Sequence, residues 1–367
     1  MKRSAWLLAA ALAGSACSAE AATPTTGAPP AAATTAPVTT ATTLVADEGE
    51  ASDLIDREPA FADIERGSAL TVSDLATLPK EMIAVSAEGD VVLIDLDGDV
   101  LGHLPSFAPQ ARAGDAGLVL LGPDDALHGL DGEPLDGYPL ASDAMIVPSE
   151  SGDAWSIEHK DGASVEIDAF WGADDSGRVV TRNWFEGSAA YDAVSREWVD
   201  LRPGCWVADA ADPDWVLACR NSEMPATIET LSGKVLAGVD EWRALYGESW
   251  PRDNEAYAVA GHWEELIPWG DRWLGEWSGE CESEGGLLIA DGALTPLEGS
   301  RRGEAPSASV GGWTSAGRAV YALHGESAGC EQAADVPGVY VAELGEAPTL
   351  IWDSGGRTVE VRVLHRT

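Results

Sequence analysis

The chain has 367 residues, of which 62 are acidic and 22 basic, giving a formal charge of −40, and 45% of its residues are hydrophobic. Lysine occurs only at positions 2, 80, 160 and 234, and the acids are spread along the chain instead of gathered in one tail. A surface of that sign repels phosphate backbones and anionic headgroups, which argues against nucleic acid and against direct electrostatic docking on a membrane, and leaves cationic groups and divalent ions as partners it would tolerate.

Lys2 and Arg3 form a charged start, Trp6 to Ala13 an apolar run, and Gly14-Ser15-Ala16-Cys17 a zone of small residues. That order is the grammar of a secretory signal, and an apolar run of about eight residues is too short to anchor in a bilayer. The segment resembles a bacterial lipoprotein signal, which implies lipid on Cys17 as the mature N-terminus. It departs from the family pattern in having Gly14 where leucine is common, with Leu12 two places early; ordinary cleavage after Ala19-Glu20-Ala21 is the competing reading. Residues 1–17 are thus assigned to the signal and 18–66 to a linker. The stretch 22–45, almost wholly Ala, Thr and Pro, offers no apolar face to bury and reads as an extended spacer open to O-linked sugar. Residues 46–66 are acidic with a few apolar positions, compatible with a short capping helix or with none.

Residues 67–367 have the periodicity of strands. Short runs of Val, Ile, Leu, Trp and Tyr are broken by Asp-Gly, Glu-Gly and Ser-Gly turns. Met82–Ala87, Val91–Asp95 and Val100–Leu104 form a first meander; Gly117–Leu121, Ala126–Leu130 and Pro134–Pro139 a second; Met145–Ser149, Ala154–Glu158 and Ser164–Ala169 a third. Further units begin near Arg178, Cys205, Leu266 and Ser309, and Asp240 to Tyr246 is the one short helix expected. Meanders without intervening helices must bury their faces against each other, and about 43 residues per unit suits radially stacked four-stranded blades. The fold predicted is therefore an all-β propeller of six to eight blades, seven preferred. The first meander lacks a strand, and the terminal run 358–364 has no unit of its own. The two are expected to pair and close the ring, with valines 359, 361 and 363 on one face, Glu360 and Arg362 on the other, and Ala69 to Val72 at the edge.

Trp313-Thr314-Ser315-Ala316-Gly317-Arg318 resembles the Trp-Ser-Pro-Asp-Gly-Arg turn of TolB-type propeller blades. Trp171 followed by Gly177-Arg178 is similar but longer, and Trp269-Gly270-Asp271-Arg272 is similar but shorter; all three lack the proline. The resemblance implies a scaffold for binding and no defined reaction. Most of the fourteen tryptophans after Trp6 are expected to fill gaps between blades, the alternative being a face on which sugars stack.

Setting Cys17 aside leaves an even number of cysteines in an oxidising compartment, so disulfides are expected. Cys205 and Cys219 flank a turn at Asp212-Pro213-Asp214 and suit a hairpin cross-link. Cys281 and Cys330 fall in equivalent loops of successive units and suit a staple between blades. No zinc site is indicated, because the six histidines are scattered. Asp95-Leu96-Asp97-Gly98-Asp99 is better explained as a hairpin turn than as a calcium loop, since glycine is missing at the sixth place and glutamate at the twelfth. With no catalytic constellation and no cofactor indicated, the leading reading is a monomeric, envelope-tethered, non-enzymatic propeller. It would bind a protein, peptide or glycan and meet the membrane through its N-terminal lipid alone. A glycan hydrolase or lyase working at the mouth of the central channel is the alternative, favoured if inward carboxylates gather there with an arginine or histidine; a structural envelope protein collecting cations is a third.

Overall fold

The computed structural model describes residues 64–366, apart from 88, 113–117, 122–126, 132, 149–154, 168–171, 175–176, 183–187, 211–213, 222–223, 247–261, 279–284, 291, 298–307, 325–335 and 344. These residues form seven four-stranded antiparallel sheets, each following its neighbours in the chain, and the protein is a seven-bladed β-propeller. Blade 2 runs from Ala108 to Leu135, blade 3 from Tyr138 to Ile167, blade 4 from Gly172 to Asp200 and blade 5 from Cys205 to Ala237. Blade 6 runs from His262 to Pro296 and blade 7 from Ala308 to Asp353. The first strand of each is the inner one, and the inner strands of blades 5 and 6 and of blades 6 and 7 touch one another.

Blade 1 is assembled from both ends of the domain. Strands Glu81–Ala87, Asp90–Ile94 and Val100–Pro105 come first in the chain, and Glu360–His365 pairs with the first of them, Ile83 opposite Val363 and Val85 opposite Val361. The C-terminal strand is thereby the inner strand of blade 1. Ala69 makes a parallel bridge to His103 on the opposite, outer edge of the sheet.

Why the ring holds is visible in the alternation of side chains. Successive residues of a strand face opposite ways, and here both faces meet another blade, so both must be apolar. Ile83, Val85, Val92, Ile94, Val359, Val361 and Val363 pack against Val320, Ala322, Val339, Val341 and Trp352 of blade 7. Met82, Ala84, Val91 and Leu93 point the other way, toward Leu130 of blade 2 and Leu75 of a short 3-10 helix, Val72–Thr77. The single α-helix among the described residues, Val239–Tyr246, sends the fully buried Trp242 into the core shared by blades 5 and 6.

Several sequence expectations need correction. The run 134–139 is not one strand: it breaks at Asp136-Gly137, so that Pro134–Leu135 ends blade 2 and Tyr138–Leu140 opens blade 3. A Cβ on Gly137 would lie 2.5 Å from the carbonyl oxygen of Ile146, so this crossing from blade to blade requires glycine. The inner strands Ala108–Arg112, Tyr138–Leu140 and Gly172–Ala173 are additional to the expected runs, and blade 4 begins at Gly172, ahead of the start expected near Arg178. The 3-10 helix after residue 66 was also unforeseen. It is closed by Asp74, whose carboxylate accepts from the Thr71 hydroxyl and backbone N–H.

Candidate functional site

Inner strands have only one neighbour in their own sheet, so the N–H and C=O groups on their other edge need partners from elsewhere. At Val310 of blade 7 both groups are met by charged side chains. Its N–H donates to Glu276 Oε2 at 3.1 Å, and its carbonyl accepts from Arg362 Nη1 at 2.7 Å. Arg362 belongs to the inner strand of blade 1 and also pairs through Nη2 with Glu265 of blade 6, at 2.7 Å. Three blades thus meet at one guanidinium, whose nearest neighbours along the strand are Val361, Val363 and Leu364.

The same device recurs between blades 4 and 5. Ala210 donates its N–H to Asp174 Oδ2 at 3.2 Å and accepts at its carbonyl from Arg178 Nη1 at 3.0 Å. Arg178 holds Asp192 in a two-point grip through Nε and Nη2, at 3.1 and 2.8 Å. Burial acts to raise the Asp192 pKa, but hydrogen bonds from Arg178, Val194 and Ser195 outweigh it and hold the carboxyl below the usual range. In both places a carboxylate and an arginine satisfy the free backbone edge of the next blade. That is the physical reason charges sit inside this ring without being expelled.

The seam between blades 7 and 1 carries a third polar group. Glu81 accepts from the Ser315 backbone N–H and, at 2.8 Å, from its hydroxyl. His365 lies between Glu81 and the Trp313 carbonyl, its Nδ1 3.4 Å from the former and its Nε2 3.1 Å from the latter. Ser, His and Glu are adjacent here, yet the serine donates to the carboxylate and not to the imidazole, so the relay that activates a nucleophile is not formed.

The tryptophan turns are the hairpins joining the first and second strands of their blades. Trp313 is 3% exposed and donates Nε1–H to the Ile267 carbonyl of blade 6 at 2.9 Å. Trp269 lies over Gly317, where a Cβ would stand 2.9 Å from its Nε1, and it remains 38% exposed. Gly177 and Gly317 close the turns of blades 4 and 7 in the same way, each donating its N–H three residues back. Trp171 lies outside the described residues.

Cys205 and Cys219 face each other across the first two strands of blade 5 and are joined as a disulfide, with Cα atoms 4.0 Å apart. Val207, two residues on, sends its N–H away from the partner strand to Thr181 Oγ1. Cys205 and Cys219 therefore occupy a non-hydrogen-bonded position, where antiparallel strands come closest. Buried Glu229, paired with Arg202, lies beside the sulfurs. Because the sulfurs are bonded to each other they offer no thiolate to a metal. Cys281 and Cys330 lie outside the described residues. The strands around them are equivalent, each cysteine falling between the second and third strands of its blade. Cys17 is likewise outside. Asp95 behaves as a turn residue, its Oδ1 accepting from the N–H groups of Asp97 and Asp99 at 2.9 Å each.

Sequence reasoning missed the group formed by Glu265, Glu276 and Arg362. The signal that could have found it was a lone arginine among alternating valines in the strand named for closure.

No protein-family model and no curated protein sequence matches the chain. Solved structures similar to it include the dihydro-heme d1 dehydrogenase NirN, in complex with DHE, at 14% identity over 80% of this chain and 82% of that one, with a TM-score of 0.42. A streptogramin B lyase is similar at 11% identity over 71% of this chain and 94% of that one, TM-score 0.35. The β-propeller domain of the trilobed protease from Pyrococcus furiosus is similar at 10% identity over 80% and 98%, TM-score 0.30. These likenesses bear on the fold alone.

Proposed function

We propose that the protein is a propeller tethered to the cell envelope through lipid on Cys17, and that it works as a binding scaffold and not as an enzyme. The observation that carries the scaffold reading is the use made of its interior charges. Arg362 is committed to Glu265 and to the Val310 carbonyl and Glu276 to the Val310 N–H, as Asp174 and Arg178 are to Ala210. A charged group spent on holding neighbouring blades has little left for a reacting bond. The tether reading rests on the signal-like start and the Ala/Thr/Pro spacer, and the proposed Cys281–Cys330 bond would staple blades 6 and 7.

The enzymatic alternative has one observation in its favour: the gathering of two carboxylates and an arginine that a glycan lyase or hydrolase would need. The two readings separate cleanly. A panel of polysaccharides incubated with the wild type should yield no new reducing ends or unsaturated products. A glycan cut by the wild type and left whole by Glu265→Gln/Glu276→Gln would replace the scaffold by an enzyme. For the tether, a fatty-acid analogue fed to expressing cells should label the wild type and not Cys17→Ser, and equal labelling of both would remove the lipid.

A further inference from the structure

The hairpin between the third and fourth strands of blade 7, residues 343–348, is six residues long. The equivalent connections of the other blades span two to five residues. Its described residues, Glu343 and Gly345 to Pro348, line a cleft of about 280 Å³ between blades 6 and 7. Thr295, Pro296 and Leu297 of blade 6 form the facing wall, and Trp313 and Tyr321 lie at its floor. Both floor residues are buried, and Tyr321 stacks on Tyr340 with ring centres 5.6 Å apart. The floor is therefore fixed before anything enters.

The rim differs in character from the floor. Glu343 and Glu346 stand exposed at the mouth, on a turn closed by a hydrogen bond from the Glu346 N–H to the Glu343 carbonyl at 3.1 Å. Among the described residues no lysine, arginine or histidine forms an ion pair with either carboxylate. That contrasts with the interior acids, every one of which described above has a partner. An apolar slot lined by proline, leucine and alanine and rimmed by two carboxylates that pair with no described cation selects for an apolar body ending in a cation. The net charge of −40 adds attraction of the same sign at longer range.

We propose that this cleft is a binding site for a small organic cation of the aryl-alkyl ammonium class, its ring between Pro296, Leu297 and Pro348 and its ammonium at Glu343 and Glu346. The inference deepens the scaffold reading and rests on it, but it is independent of the lipid tether and of the central channel.

The probe is phenethylammonium, titrated against the full chain by saturation-transfer NMR and compared with 2-phenylethanol and 3-phenylpropionate. The ammonium should bind more tightly than the alcohol, and the carboxylate should not bind. In Glu343→Gln/Glu346→Gln, whose exposed substitutions leave the melting temperature unchanged, affinity for the ammonium should fall about tenfold while that for the alcohol stays the same. Raising the salt concentration should mimic that loss. Ala347→Phe, which puts a ring into the mouth, should weaken both ligands together. Equal binding of ammonium and alcohol, or equal binding by the wild type and the double glutamine variant, would overturn the site. Such a failure leaves the polysaccharide and fatty-acid results above untouched, so it is distinguishable from failure of the scaffold itself.

Discussion

Blade 1 and blade 2 stand side by side and follow the same four-strand plan, yet they are held in different ways. In blade 1 the strands are five to seven residues long, and Met82 to Val85 and Val91 to Ile94 are all buried, alternate residues serving two separate cores. In blade 2 the two outer strands are two residues each, Leu127–His128 and Pro134–Leu135, and all four side chains are half-buried or exposed. Proline cannot donate to a ladder and is tolerated best on such an edge. The difference teaches where the ring is held: the blade that must close the circle by bringing together segments some 250 residues apart in the chain is given longer and more deeply buried strands than its neighbour. The blade made from one continuous segment of chain manages with shorter ones.

The largest way to break this comparison is to remove the closing strand. Truncation after Gly356 deletes Val359, Val361, Val363 and Leu364, all buried, at roughly 1.5–3 kcal/mol each. The sum rivals the whole stability of a domain. The truncated chain should fail to yield folded, soluble protein, as read by near-ultraviolet circular dichroism; a stable product would mean that the ring does not need its closure. A smaller contrast sharpens the same point. Val361→Ala should cost about 2 kcal/mol and Leu135→Ala in blade 2 no more than about 1, measured by chemical denaturation. Equal costs would erase the distinction between the two blades.

The smallest effect is one of pH and belongs to the contact between blades 3 and 4. His159 is 4% exposed, its Nε2 lies 3.0 Å from the Tyr191 hydroxyl, and its Nδ1 has no hydrogen-bond partner among the described residues. Burial first and the positive charge of Arg196 second hold its pKa below the usual histidine value, with Asp161 opposing. The folded state thus binds its proton less readily than the unfolded chain, so this contribution is intact above about pH 6.5 and is lost as the pH falls below that value. Stability should decline as the pH falls below about 6.5 in the wild type, and less steeply in His159→Gln. Parallel curves would mean that His159 carries none of the dependence.

Much of the ring was legible in the sequence because each blade announces itself by local chemistry. Asp97-Gly98 turns blade 1, and Gly98 can only be glycine, since its φ is +91° and a Cβ would lie 1.8 Å from the Ile351 carbonyl oxygen of blade 7. The closing strand was legible for a different reason, as an alternating run left without a unit. The inner strands of blades 2, 3 and 4 were not, because Ala108–Arg112, Tyr138–Leu140 and Gly172–Ala173 are short, contain proline or glycine, and owe their extended form to the sheet they join and not to propensity. The interior charges were hidden as well. Glu265 and Glu276 are two of 62 acids, and what distinguishes them is a backbone edge supplied by Val310 from another blade.

The measurement that tests the account most directly is the melting temperature of Arg362→Met. The guanidinium neutralises Glu265 and caps the Val310 carbonyl, so its removal leaves a partly buried carboxylate and a backbone oxygen without their partner. The account predicts a loss of about 2 kcal/mol, discounted for partial exposure, and a drop of roughly 3–6 °C in Tm, with binding of phenethylammonium unchanged. A variant as stable as the wild type would contradict it, most sharply if it had also lost the ability to cut a glycan that the wild type cuts.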